Sequence, residues 1–189
     1  MNVVLGSASP RRRDLLLQLG LEFEVIAPEI DESPLQGEAP VAYVLRLAEA
    51  KSAAIEAPAD ALVITADTTV DLDGEILGKP VDAVEAAAML RRLSARTHRV
   101  HTGVALRRGD RLVSEVTTSL VTFTPLTAEA IDWYIATGEP LDKAGAYAVQ
   151  GAGGVFVQRV MGSVSSVVGL PLHTVMRLAG ELGVTLIAD

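Results

Sequence analysis

The chain has 189 residues, with 16 lysines and arginines against 24 aspartates and glutamates, a formal charge of −8 and 49% hydrophobic residues. That is one domain's length and can bury about 70% of the unfolded surface, and having no cysteine excludes disulfide frameworks, thiolate zinc sites and a thiol nucleophile. Acidity with 4% aromatics disfavours nucleic acid as a partner; with no signal-peptide pattern and no run near the ~18 apolar residues of a membrane helix, the expectation is a cytoplasmic protein without a membrane partner.

Val3-Val4-Leu5 predicts a strand that breaks at Gly6-Ser7-Ala8-Ser9-Pro10 and feeds a helix ending at Gly20, with Ser9 as N-cap and Pro10 at the first helical position. Phe23–Ile26 reads as a second strand and Pro40–Ala54 as a helix whose apolar side carries Val44, Leu47 and Ala48. Ala61–Leu72 is rich in β-branched residues and reads as a central strand with a charged Asp67 inside it; Asp73-Gly74 then signals a hairpin into Ile76. Asp82–Leu93 is helical, and Arg99–Leu106 and Leu112–Phe123 form a long hairpin about Gly109-Asp110. Thr127 opens a helix that closes at Gly138, and Glu139–Gly154 reads as an ordered glycine-rich loop. Val155-Phe156-Val157 resumes as strand, and Pro171–Leu182 is the terminal helix. Elements alternate without linker or repeat. The class is therefore α/β with a mixed, partly antiparallel sheet flanked by helices, in a single domain over 1–189 with room for two lobes around a cleft.

Four places concentrate chemistry. Ser7 to Arg13 puts small residues and three arginines at a strand-to-helix junction, which suits an anion; Arg11 and Arg12 are assigned to the site and Arg13 to the surface, because consecutive helical residues diverge. Asp67 is a carboxylate in an apolar run, costly to bury unless paired or metal-bound, and is the first candidate for acid–base work. Thr68 beside it points to the opposite face of an ideal strand, and a strand end or bulge would be needed to bring both to one ligand. The 16 basic residues divide into 13 arginines and 3 lysines, Lys51, Lys79 and Lys143; a lysine surviving in an arginine-preferring chain marks a need for a compact ammonium. Lys79 and Lys143 lie in glycine-flanked loops, whereas Lys51, late in its helix, is equally explained by the helix dipole. Asp31-Glu32 is either a hard-cation ligand pair or a solvated acidic turn. His98 and His101 fall on opposite faces of a strand and do not form a metal pair; with His173 they read as packed or surface residues.

Taken together, Ser7-Ala8-Ser9-Pro10-Arg11-Arg12, Ala66-Asp67-Thr68, Gly78-Lys79-Pro80, Thr137-Gly138-Glu139-Pro140 through Lys143-Ala144-Gly145-Ala146-Tyr147, Gln150-Gly151 and Val168-Gly169-Leu170-Pro171 resemble the Maf family of nucleoside triphosphate pyrophosphatases, associated with septum formation. The likeness runs from residue 3 to about 183. It implies an inosine-triphosphatase-like, anion-binding fold, a homodimer, a divalent cation (Mg²⁺ or Mn²⁺), and hydrolysis of a nucleoside triphosphate to monophosphate and pyrophosphate. By the same resemblance Asp67 is the general base and a metal ligand, Glu32 an acidic position near metal or base, and Ser7, Arg12, Lys51 and Lys79 phosphate-binding or catalytic positions. Arg11, Thr68 and Gln150 match the branch acting on dTTP and UTP, and Thr68 and Gln150 are expected to hydrogen-bond the edge of a pyrimidine. Val164 and Ser166 depart from the tyrosine and asparagine common in similar proteins. Two alternatives stay open: a pyrophosphatase of broad base tolerance, and a nucleotide-binding regulator of septation without turnover.

Overall fold

Residues 2–187 are described by a computed structural model; Met1, Ala188 and Asp189, at the ends of the expected domain, lie outside the described residues. The chain runs β1 (Val3–Gly6), α1 (Pro10–Leu17), β2 (Glu24–Val25), α2 (Pro40–Ala53), β3 (Leu62–Leu72), β4 (Glu75–Leu77), α3 (Ala83–Leu93), β5 (Thr97–Arg108), β6 (Arg111–Phe123) and α4 (Ala128–Ala136). Three short 3₁₀ turns follow, Glu139–Asp142, Ala144–Ala146 and Ala152–Phe156, then β7 (Val157–Met161), α5 (Val164–Val168) and α6 (Leu172–Glu181). Among the described residues one mixed sheet of seven strands runs β2-β1-β3-β5-β6-β7, with β4 added to β3. The β1 pairings with β2 and β3 are parallel and the rest antiparallel.

β3 is the axis. Of its eleven residues every one but Thr68 is buried, because helices or loops cover both faces, so it reads as a continuous apolar run rather than an alternation. β5 pairs along its whole length on one edge, from Leu62↔Arg108 to Asp71↔Arg99. The other edge is shared: β1 pairs up to Gly6↔Thr65, and β4 begins at Val70↔Leu77. Residues 66–69 are thus left without a neighbouring strand on that side, and the gap opens the sheet toward solvent in mid-strand.

One face of the sheet carries two apolar cores. Leu5, Leu16, Ile64, Val104, Leu106 and Leu178 belong to the first, around α1 and α6; Val70, Leu90, Val100, Phe123, Tyr134 and Phe156 belong to the second, around α3 and α4. A polar seam separates them at the level of the gap: the Thr68 and Thr102 hydroxyls meet at 3.0 Å, and Thr102 donates to the Ser166 carbonyl at 2.8 Å. The opposite face is covered by α2 through Val44, Leu47, Ala48 and Lys51, a helical stripe at i, i+3, i+4 and i+7.

Several local expectations are corrected. Ser9 has the extended backbone of an N-cap but makes no capping bond with its side chain; its N–H instead donates to Ser7 Oγ at 3.2 Å. The strand expected at Phe23–Ile26 shrinks to two residues at the sheet edge. Val155 and Phe156 close a 3₁₀ turn rather than opening a strand, and β7 starts at Val157. The expected loop 139–154 is a chain of 3₁₀ turns, and α5, capped by Ser163 accepting from the Ser166 N–H, was not anticipated.

Candidate active site

The gap in the sheet is the floor of a cleft of about 520 Å³ whose lining includes Ser7, Arg11, Arg12, Glu32, Lys51, Asp67, Thr68, Lys79 and Gln150. Every residue that the resemblance assigned to the site is therefore brought to one cavity; Asp31, offered with Glu32 as a cation-ligand pair, does not line it and instead accepts from the Ser33 N–H at an exposed turn. The β1–α1 loop supplies Ser7, the first turns of α1 supply Arg11 and Arg12, and α2 supplies Lys51. Asp67 and Thr68 come from the unpaired stretch of β3, Lys79 from the turn after β4, and Gln150 from the 3₁₀ segment. Asp67 and Thr68 point to opposite faces, as a regular strand requires, yet both reach the cleft. Neither a bulge nor a strand end is needed, because the missing neighbour exposes the strand edge to side chains from both faces.

Lys51 lies between two carboxylates: its ammonium donates to Asp67 Oδ1 at 2.7 Å and lies 2.7 Å from Glu32 Oε1. Asp67 and Lys51 are both buried, so the Asp67 charge depends on the ammonium beside it, which Glu32 also pairs. Among the described residues only Oδ1 of Asp67 is engaged by a side chain. Burial pulls the Glu32 carboxyl upward, but the Lys51 hydrogen bond and the charges of Lys51, Lys79 and Arg12 outweigh it and hold the group below its ordinary value. Tyr43, one side of the cleft, donates its hydroxyl to the Glu32 carbonyl at 2.9 Å. Burial, with the charges of Asp67 and Glu32, pushes that phenol up to about 12, so it stays a donor.

Arg12 is fixed at three points. Nε donates to the Gly169 carbonyl at 2.7 Å and the two terminal nitrogens donate to Ser7 Oγ at 3.0 Å and Thr68 Oγ1 at 3.3 Å. Burial lowers its pKa and the Asp67 charge opposes the change; an arginine remains cationic across such a shift. Arg11 sits at the mouth, 3.7 Å from Asp142, which also pairs with Lys143. Among the described residues Lys79 has no ion-pair partner and is exposed at the rim, close enough to Glu32 to depress its carboxyl.

Sequence reasoning missed Tyr43 and Thr102, which carried no pattern of their own, and the Gly169 carbonyl, whose only signal was its place in the Val168–Pro171 motif. The two buried histidines fall outside the cleft: His98 shares a hydrogen bond with the Tyr147 hydroxyl at 2.8 Å, and His101 bridges Asp71 and Thr118. Among the described residues no group of three or more His, Asp or Glu side chains is arranged to hold a metal, and no helix is long and apolar enough to cross a membrane.

Residues 2–182 match the family described as Maf-like protein. The chain belongs to the Maf family. It is 54% identical over 185 residues to a protein of Myxococcus xanthus named dTTP/UTP pyrophosphatase, covering 97% of this chain and 94% of that one. It is 52% identical over 185 residues to the protein of that name from Methylococcus capsulatus, at 97% and 92% coverage. Among solved structures, a HAM1 protein from Coxiella burnetii superposes with a TM-score of 0.51 at 14% identity, covering 97% of this Maf chain and 98% of that one. The last likeness concerns the fold alone.

Proposed function

We propose that this Maf protein hydrolyses dTTP and UTP to the nucleoside monophosphate and pyrophosphate. The observation that carries the reading is the cleft itself, where a buried, ion-paired Asp67 faces a wall of cations, Arg12, Lys51 and Lys79. The relatives named dTTP/UTP pyrophosphatase support the choice of bases.

Arg12, its fork held flat by Gly169, Ser7 and Thr68, presents a planar cation to phosphate oxygens, and Lys79 at the rim offers a compact one. Asp67 orients a water at its remaining carboxylate oxygen and takes its proton as the oxygen bonds to the α-phosphorus. The α–β bridging P–O bond breaks and its electron pair leaves on pyrophosphate, whose charge the same cations stabilise. Asp67 and Glu32 bring two hard oxygen donors around one ammonium, a donor set that fits Mg²⁺ or Mn²⁺, which bind through one or two carboxylates plus substrate phosphates. These two residues would hold the ion, which when bound supplies Lewis-acid stabilisation of phosphate charge. Thr68, expected with Gln150 at the base, has its hydroxyl bonded to Arg12 and Thr102, so in this proposal it backs the Arg12 cation and the base falls to Gln150 and Arg11, which line the same cleft. A cytoplasmic location, where free nucleotides occur, and the homodimer implied by the resemblance complete the proposal.

Pyrophosphate release from dTTP, UTP, dCTP, dATP and dGTP with Mg²⁺ tests the reading. The expected result is turnover of dTTP and UTP well above the others. Equal rates on all five would favour the broad-tolerance alternative, and binding without turnover the regulatory one.

A further inference from the structure

The segment that carries Gln150 has no regular ladder to hold it, and a single carboxylate takes that place. Glu139 accepts from the Tyr134 hydroxyl at 2.6 Å, from the Ala152 N–H at 3.0 Å and from the Gly153 N–H at 3.1 Å. Tyr134, fully buried in the second core, in turn accepts from the Ala148 N–H at 3.2 Å. These bonds fall on both sides of Gln150, at 148 and at 152–153. The backbone is drawn in tightly: a Cβ on Gly151 would collide with the Glu139 carboxylate, and one on Gly153 would lie 2.6 Å from the Tyr134 hydroxyl. Burial works against the Glu139 charge, but the Tyr134 hydroxyl and the two N–H groups outweigh it and keep the group ionised. The Gln150 side chain lines the cleft and, among the described residues, takes no hydrogen bond. The backbone therefore fixes only the point from which this side chain reaches into the cleft.

We propose that Glu139 and Tyr134 are positioning residues that set base selectivity by fixing the backbone on both sides of Gln150. The proposal rests on the reading of Gln150 as the residue that meets the base. The phosphates are held by Arg12, Lys51 and Lys79 on other elements, so loosening this segment disturbs recognition of the base and leaves the chemistry in place. A backbone held in one place brings the Gln150 amide to one edge of the base, where a wrong hydrogen-bonding pattern leaves groups unpaired; a backbone that shifts loses that alignment.

The test is steady-state kinetics of wild type, Glu139→Gln, Tyr134→Phe and Gln150→Ala on dTTP and dCTP, whose rings exchange donor and acceptor at positions 3 and 4, with thermal melts as a fold control. Tyr134→Phe removes one oxygen from a filled site and keeps the test alive if Glu139→Gln does not fold. The expected result for either is a KM for dTTP raised about tenfold, kcat within about twofold, and a dTTP-to-dCTP ratio of kcat/KM lowered about tenfold. Equal losses on both nucleotides, or a lowered melting temperature with unchanged KM and selectivity, would overturn the proposal. Selectivity lost in Gln150→Ala but kept in the Glu139 and Tyr134 variants overturns the positioning role alone. Selectivity kept in Gln150→Ala overturns the reading of Gln150, and the positioning role with it.

Discussion

A carboxylate in the middle of a buried strand survives only with a partner, and for Asp67 that partner is Lys51. Removing the Lys51 ammonium would strand the Asp67 charge, and truncating Asp67 would leave a hole beside Lys51, either of which confuses catalysis with folding. Asp67→Asn avoids this, since the amide keeps the shape and Lys51 retains Glu32 at 2.7 Å. Turnover of dTTP should fall by about a hundred- to ten-thousand-fold with an unchanged circular dichroism spectrum; near-normal turnover would remove Asp67 from the role of base. The sequence made Asp67 conspicuous because charge in a β-branched run is costly. Lys51 was less so, although it was legible: it stands seven residues after Val44 on the apolar stripe of α2, so the helix period already pointed it inward, where the dipole explanation would have it solvated. Glu32 offered no such clue, because it lies in an irregular segment and its place is fixed by Lys51 and by the Tyr43 hydroxyl from another element.

The long elements were readable and the short ones were not, for a physical reason. α2, α3, β3 and the β5–β6 hairpin bury repeating faces, so their periods are written in the apolar residues. The 3₁₀ turns between Glu139 and Phe156 are held by side chain-to-backbone bonds that have no period, and α5 is too short to show one. Some contacts between elements also leave only a glycine as their sign. Gly103 on β5 is where α2 crosses the sheet: a Cβ there would lie 2.6 Å from the Val44 carbonyl carbon and 2.9 Å from the Leu45 nitrogen, both backbone atoms that cannot rotate aside. Gly103→Ala should push α2 outward at a cost of about 1–3 kcal/mol, a fall in Tm of about 3–10 °C. Because α2 also carries Lys51 to Asp67↔Gly103, the same variant should lose turnover in proportion to the displaced ammonium. Calorimetry with dTTP kinetics checks both, and an unchanged Tm would show that the α2 contact is not the constraint.

At the scale of the whole molecule, the charge of −8 sets the problem that the cleft solves. An acidic surface repels a polyphosphate, so binding depends on cations gathered at one place. The fold gathers them by leaving β3 unpaired over residues 66–69, between β1 at one end and β4 at the other, with an apolar core on either side of the polar seam beneath. In the proposed reaction the Asp67 carboxylate, which lines the cleft at that gap, directs water at the α-phosphorus rather than the terminal phosphate. Hydrolysis of dTTP in ¹⁸O-labelled water, with products resolved by mass spectrometry, tests this directly: the label should appear in dTMP and not in pyrophosphate. Label in pyrophosphate or in released orthophosphate would contradict the account.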